Sequence, residues 1–279
     1  MDEPRLWSLP SSEEHSNEDA VFVRDGVAVV VDGAGLPRSM RAGCRHSVAW
    51  YSEQLACTFG EALLLPGLTM SQALGRAIVE VSKRHDGCAL EEGSPSATVA
   101  AWRLQHQQQP PIVEYLVLCD ASLIISTADD VMEVTDDRLA LLVAEELDRV
   151  AAASTEALDA IALLNARACV LDRARNVDGG FWCCQIDPAA ADQALTGSYL
   201  LADLVGVVIA TDGATRGFQL LGIHTLGEFA QRAGAGGGAG LLEEVRDAER
   251  DQTQRLIGDA IKVHDDATLI ALRLTGHRS

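Results

Sequence analysis

No stretch of this chain approaches the roughly 20 consecutive apolar residues that a membrane-crossing helix needs. Positive charge is scarce as well, with 22 Lys and Arg against 41 Asp and Glu and a net charge of -19. Such a surface repels nucleic-acid phosphates and anionic lipid, so neither is expected as a partner. The seven cysteines include no C-x-x-C pair, which argues against a structural zinc site. They are odd in number, and Cys183 and Cys184 are adjacent, so reduced thiols in a cytoplasmic protein are expected. The first ten residues, M-D-E-P-R-L-W-S-L-P, lack the basic segment and apolar core of a signal peptide. The glycine-rich run at 233–240 (A-G-A-G-G-G-A-G) has no G-K-[ST] and is no phosphate-binding P-loop. It reads as a flexible loop. No segment reads as a domain boundary, so 1–279 is taken as one domain, with a monomer as the default.

What is present is a globular composition, 48% hydrophobic, with one construction used twice. Residues 27–35 read V-A-V-V-V-D-G-A-G and residues 205–213 read V-G-V-V-I-A-T-D-G. Each is a short run of small or β-branched residues, the pattern of a buried strand, ending in Asp-Gly. One such Asp-Gly is ordinarily a turn. Asn17-Glu18-Asp19 precedes a second short apolar run, and Asp25-Gly26 turns it into the first. Antiparallel pairing would then set Asp19 beside Asp32 at one end of a sheet.

The rest of the chain alternates in the same coarse way. Helical spacing covers 42–59 and 70–85. Strands are expected at 95–104, 112–118, 121–127 and 131–135. An alanine-rich helical hairpin spans 136–152 and 155–171. A strand at 181–186 and a short helix opened by Pro188 follow. Strands at 196–201 and 205–210, helices at 214–221, 225–232 and 241–258, and a closing strand at 268–274 complete the order. Short turns between successive strands predict largely antiparallel sheets and an α+β fold. Trp50, Trp102 and Trp182 read as packing residues, His46 as a helix residue, and 179–182 (G-G-F-W) as a turn.

The acids at strand ends are Asp19, Asp32, Asp120, Asp212 and Asp265, with Glu18 and Asp266 beside them. Hard divalent cations such as Mg²⁺ and Mn²⁺ take oxygen ligands. Carboxylates gathered at one place repel one another unless a cation neutralises them. Singly each acid is a turn or cap residue; the set points to metal.

Taken in order, N-E-D-A (17–20), V-V-V-D-G-A-G (29–35), S-A-T-V (96–99), C-D-A-S (119–122), T-D-G (211–213) and H-D-D-A-T (264–268) resemble the PP2C (PPM) family of metal-dependent protein serine/threonine phosphatases, its bacterial members above all. The resemblance implies a four-layer α/β/β/α sandwich of two antiparallel sheets flanked by helix pairs. It implies two Mn²⁺ or Mg²⁺ ions bridged by Asp32, with the Gly33 carbonyl on one and Asp212 and Asp265 on the other. Asp19, with Glu18 beside it, would bind a metal directly or through water, and Asp120 would help hold a third ion. The activity implied is hydrolysis of phosphoserine and phosphothreonine in proteins by water that bridges the two metals, with Asp19, Asp32, Asp212 and Asp265 as catalytic residues.

Three positions depart from the family pattern. The phosphate-binding arginine expected five residues before Asp19 is Glu14, which leaves His15, Arg38, Arg41 or Arg216 to meet the phosphate. Ala34 stands where some members carry a histidine. Cys119-Asp120-Ala121 replaces the usual G-D-S. These departures leave open an alternative, a catalytically weak domain that binds phosphoproteins or regulates. Haloacid-dehalogenase-type phosphatases are excluded, because they need an aspartate two residues before the Asp of Asp-Gly, where this chain has Val30 and Ala210.

Overall fold

Alternation along the strands separates two apolar faces. In β3 (Val27–Ala34), Val27, Val29 and Val31 face one hydrophobic cluster, while Ala28 and Val30 face another. Asp32 continues the second series, and this parity directs it between the layers. The computed structural model describes residues 2–34, 41–154, 158–259 and 261–274.

One sheet has the strand order β2 (Ala20–Arg24), β3, β4 (Ser96–Gln105), β5 (Ile112–Leu118) and β8 (Leu195–Leu200). The other runs β1 (Arg5–Leu9), β10 (Ala267–Arg273), β9 (Leu204–Ala210), β6 (Ser122–Thr127) and β7 (Val131–Val134). Every pairing is antiparallel. Between the sheets lie Val30, Trp102, Val117, Leu123, Ile209 and Ile270. Helices α1 (Val48–Leu63) and α2 (Met70–Lys83) cover the outer face of the first sheet through Leu55, Phe59, Leu74 and Ile78. After β9 come α5 (Asp212–Gln219), α6 (Leu226–Ala235), α7 (Gly238–Asp251) and α8 (Thr253–Gly258). Phe229 of α6 and Leu241 and Leu242 of α7 cover the second sheet. The result is the expected four-layer α/β/β/α sandwich, with apolar burial worth about 1.5–3 kcal/mol for each large aliphatic side chain.

Several elements differ from the sequence expectation. The helix read at 42–59 starts at Val48, because Ser47 is extended and its side chain accepts the Trp50 N–H at 3.0 Å. Cys44 and His46 therefore sit in the segment leading into α1. The hairpin of α3 (Arg138–Ala153) and α4 (Ala160–Arg173) is not a sandwich layer. It packs through Leu139, Leu142 and Leu171 on a small cluster with Cys119, Phe181 and Cys183. Asp159 caps α4, accepting the Ala162 N–H; residues 155–157, where that helix was expected to begin, lie outside the described residues.

The strand read at 181–186 is reduced to isolated bridges, Ala97 with Cys184 and Arg175 with Phe181. Its amides are taken up by a turn instead: Phe181 N–H donates to the Ala174 carbonyl and Cys183 N–H to the Asn176 side chain. The glycine run at 233–240 is a tight helix–helix junction rather than a loose loop. Gly236, at φ 95°, closes α6 in the left-handed conformation, and a Cβ on Gly238 would meet the Trp7 ring at 2.4 Å. The single helix read at 241–258 is two, interrupted at Gln252.

The glycine of the second Asp-Gly shows what that dipeptide does. Gly213 has no positive φ; a Cβ there would lie 1.9 Å from the Asp266 carbonyl oxygen. Substituting Gly213→Ala is expected to cost about 1–3 kcal/mol in urea unfolding. Gly227→Ala, in α6 with nothing within 4 Å of the added carbon, should instead gain up to about 1 kcal/mol.

Candidate metal centre

Five aspartates, carried by the ends of six strands, meet at one end of the sandwich. β2 and β3 pair with Ala20 opposite Val31, so Asp19, just before β2, stands across from Asp32. Asp32 is opposite Thr98 on β4. Asp120 occupies the turn between β5 and β6, Asp212 opens α5 straight after β9, and Asp265 lies two residues before β10. The fields of Asp19, Asp120, Asp212 and Asp265 all reach Asp32. The structure thus brings together the acids that the sequence set out separately.

Their electrostatics are those of a site short of positive charge. Burial holds Asp32 well above the usual carboxylate range, and the charges of Asp19, Asp212, Asp265 and Asp120 push it further. Asp19 is pushed up to about 8, by burial first, against a hydrogen bond from the Thr211 hydroxyl at 3.0 Å. Asp212 is pushed up to about 7, by burial and then by Asp265 and Asp120, and its carboxyl hydrogen-bonds that of Asp32. Burial also raises Asp120 and Glu18. Arg216 and Lys262 approach the centre, and both engage Asp265.

The residues fit divalent cations. The Asp19 Oδ1 atom is buried with no hydrogen-bond partner, and so is the Thr98 hydroxyl across from Asp32. A buried lone pair left bare costs free energy that a cation recovers. Gly33 is needed for close approach rather than for a turn, since a Cβ would meet Val48 Cγ1 at 2.5 Å, Ser52 Oγ at 2.6 Å and the Glu18 carbonyl at 2.7 Å. Cys119, which stands where the resembled family has glycine, takes a left-handed φ of 64° to set Asp120 in its turn.

Other residues hold the acids in place, and the sequence reading missed most of them. Asp266 is a clamp: its carboxylate accepts the Ser11 N–H at 2.6 Å and the Glu18 N–H at 2.8 Å. Glu249, fully buried in α7, pairs with Arg216 at 2.6 Å, Arg246 at 2.5 Å and His264 Nδ1 at 2.9 Å. Arg246 donates to the Leu9, Pro10 and Asp265 carbonyls, and Arg216 to those of Lys262 and Val263. Arg216 is thereby committed to the 262–265 backbone and Glu249. Its helical spacing from Glu249 is no guide, since the two lie 33 residues apart. Asp136, also missed, is buried and holds Arg138 at 2.5 Å beside the Cys119 turn. Of the residues expected to meet phosphate, His15 is exposed and bonded to the Ser12 hydroxyl at 3.0 Å. Arg41 acts electrostatically on Glu18, and Arg38 lies outside the described residues.

No family model and no curated protein sequence matches this chain. Solved structures do match it in fold. A bacterial serine phosphatase aligns over 99% of both chains with a TM-score of 0.56 at 15% identity. The serine/threonine phosphatase Stp1 of Staphylococcus aureus covers 99% of this chain and 96% of its own, with a TM-score of 0.56 at 12% identity. The Mycobacterium tuberculosis phosphatase PstP/Ppp covers 98% of both, with a TM-score of 0.53 at 13% identity. The class defined is the α/β/β/α sandwich that these bacterial phosphatases share.

Two outcomes are expected. Folded Asp19 and Asp212 keep their protons up to about 8 and about 7, against an ordinary value of 3.8. The folded state then binds more protons than the unfolded chain across that window, so metal-free protein loses stability as pH rises through it. Thermal melts of metal-free protein should show Tm falling with pH over this range, and saturating Mn²⁺ should remove most of the slope. Separately, Glu249→Ala leaves the buried Arg246 guanidinium without a carboxylate and Arg216 with only the more distant Asp265, and should cost about 3–5 kcal/mol in urea unfolding.

Proposed function

We propose that this chain is a metal-dependent phosphomonoester hydrolase acting on phosphoserine and phosphothreonine in proteins. The observation that carries the reading is the convergence of Asp19, Asp32, Asp120, Asp212 and Asp265 at one end of the sandwich, with the Asp19 Oδ1 atom buried and bare. The fold likeness to bacterial serine/threonine phosphatases supports it, although fold alone does not carry activity.

Asp32 would serve both of two Mn²⁺ or Mg²⁺ ions, the Gly33 carbonyl one of them and Asp212 and Asp265 the other, with Asp19 and Glu18 holding a metal directly or through water and Asp120 helping to hold a third. When bound, such ions supply charge neutralisation and a more acidic water for attack on phosphorus. The chain's own part is to place the oxygen donors and keep them placed. Thr211 fixes the orientation of Asp19, Asp266 ties the Glu18 backbone to the 264–267 segment, and the Glu249 network fixes the Asp265 backbone.

Nothing in the cluster calls for a protein nucleophile. The nearby thiols are buried and held protonated: burial pushes Cys183 up to about 11 and raises Cys119 well above its ordinary value. Substrate phosphate is met by Arg41, on the Glu18 side of the centre, and by His15, because Glu14 cannot bind a dianion. An acidic surface of net charge -19 favours basic phosphopeptides.

Turnover of p-nitrophenyl phosphate and of a phosphothreonine peptide should require Mn²⁺ and stop with EDTA. Asp212→Asn should lower it by more than the roughly 10–100-fold typical of an outer-shell loss. Tight Mn²⁺ binding with no turnover of either substrate would favour the regulatory, phosphoprotein-binding alternative that the exposed Glu14 keeps in view. Turnover indifferent to EDTA would contradict both.

A further inference from the structure

A second cluster, away from the carboxylates, has the chemistry of a different metal. Cys44 and His46 lie in the segment leading into α1, and Cys88 lies in the turn after α2. The two sulfurs are 3.9 Å apart, and His46 Nδ1 is 3.6 Å from Cys44 Sγ and 3.5 Å from Cys88 Sγ. A tetrahedral zinc ion with bonds of about 2.3 Å to sulfur and about 2.05 Å to nitrogen sets its ligands about 3.8 Å apart for S···S and about 3.6 Å for S···N. The three donor atoms already stand at those separations. We propose that Cys44, His46 and Cys88 bind a zinc ion that clips the entry of α1 to the exit of α2, independently of any phosphatase activity.

The surroundings are those of a built site. The His46 backbone N–H donates to Cys44 Sγ at 3.3 Å, a bond that favours a thiolate. The His46 ring is stacked on Trp50 with centroids 4.0 Å apart, which fixes its plane. His85 stands edge-on to His46, with centroids 5.1 Å apart, and is 6% exposed. Its Nδ1 donates to the Val81 carbonyl at 2.9 Å, which leaves Nε2 as a bare lone pair, and that atom is buried without a partner. A ring nitrogen made bare by a carbonyl on its other side is the arrangement of a metal-binding histidine. The fourth coordination position is left to water, and His85 packs edge-on against the ligand ring.

Charge balances when zinc binds. Each thiol gives up its proton to solvent, and two thiolates with a neutral imidazole cancel the Zn²⁺ charge. Without metal, burial holds the Cys44 thiol above its ordinary value. A disulfide would need the sulfurs at about 2.05 Å and would leave His46 without a purpose.

The clip joins residues 44 apart in sequence. It stands where the two segments already touch closely: the Ala89 N–H donates to the Gly43 carbonyl at 2.8 Å, and a Cβ on Gly43 would lie 1.9 Å from the Ala89 oxygen. Val48 and Ser52, in the first turns of α1, are the side chains that close on Gly33. Fixing the entry of α1 therefore fixes a wall of the carboxylate centre. The absence of C-x-x-C had argued against zinc; the spacing here is C-x-H with the third ligand brought in by the fold.

Titration of the full chain with Co²⁺ tests this, because thiolate ligands give near-ultraviolet charge-transfer bands that carboxylate ligands do not. The bands should saturate at the intensity of about one thiolate-bound Co²⁺ per chain, whatever the carboxylate centre takes up, and Zn²⁺ should bleach them. They should be lost in Cys44→Ser and Cys88→Ser and kept in Cys57→Ser, Cys169→Ser and Asp212→Asn. Should the ligand variants misfold, the unmodified protein gives a second readout: Zn²⁺ should protect Cys44 and Cys88, but not exposed Cys57, from alkylation read by peptide mass spectrometry. Absence of the bands in folded wild-type protein, bands that persist in folded Cys44→Ser and Cys88→Ser, unprotected Cys44 and Cys88, or a Cys44–Cys88 disulfide in zinc-free protein would each overturn the proposal.

Discussion

Mutual repulsion among buried carboxylates is the constraint on which this structure turns. Asp32 feels Asp19, Asp120, Asp212 and Asp265 at once, in a place where burial already disfavours charge. Packing alone would never select such a cluster, since an uncompensated charge buried in a low-dielectric site costs several kcal/mol. Either protons or cations must settle it. The upward shifts at Asp19 and Asp212 show the first solution, and the bare Asp19 Oδ1 marks room for the second.

Much of the surrounding architecture keeps these groups from moving apart. The two sheets present their acids at the same end because strand parity carries Asp32 between the layers and β9 and β10 end there. Gly33 and Gly213 let the backbone close on α1 and on the Asp266 carbonyl, where any side chain would intrude. Beneath Asp265, Glu249 with its two arginines replaces what would otherwise be loose loop backbone. Asp266 spends both its oxygens on backbone amides and so serves as a staple between the N-terminal loop and β10.

The antiparallel strands and the acids at their ends were legible in the sequence because both depend on local patterns, whereas the four-layer stacking of the sheets came only with the family resemblance. Runs such as 27–31 and 205–210 announce buried strands, and Asp-Gly after each announces a strand end. The pairing of Asp19 with Asp32 followed from a single hairpin turn. What stayed hidden depends on contacts distant in sequence. Nothing near Glu249 says that it meets Arg216, and nothing near Cys88 says that it meets Cys44 and His46. The helix expected at 42–59 concealed that cluster, because it was carried back past the Ser47 cap that begins α1, although its apolar spacing of Val48, Leu55 and Phe59 lies wholly beyond that cap. The glycine run at 233–240 misled for the opposite reason: low complexity reads as looseness, while Gly236 and Gly238 are there for a left-handed cap and for contact with Trp7.

The central claim is that the carboxylates hold protons until a divalent cation replaces them. Calorimetric titration of metal-free protein with Mn²⁺ near neutral pH, repeated in buffers of different ionisation enthalpy, measures this replacement directly. The account predicts saturable binding whose heat varies with the buffer, because Asp19 and its neighbours release protons to solvent as the metal enters, and predicts that Asp32→Asn abolishes both the binding and the proton release. Binding with no buffer dependence, or no binding at all by folded protein, would contradict it.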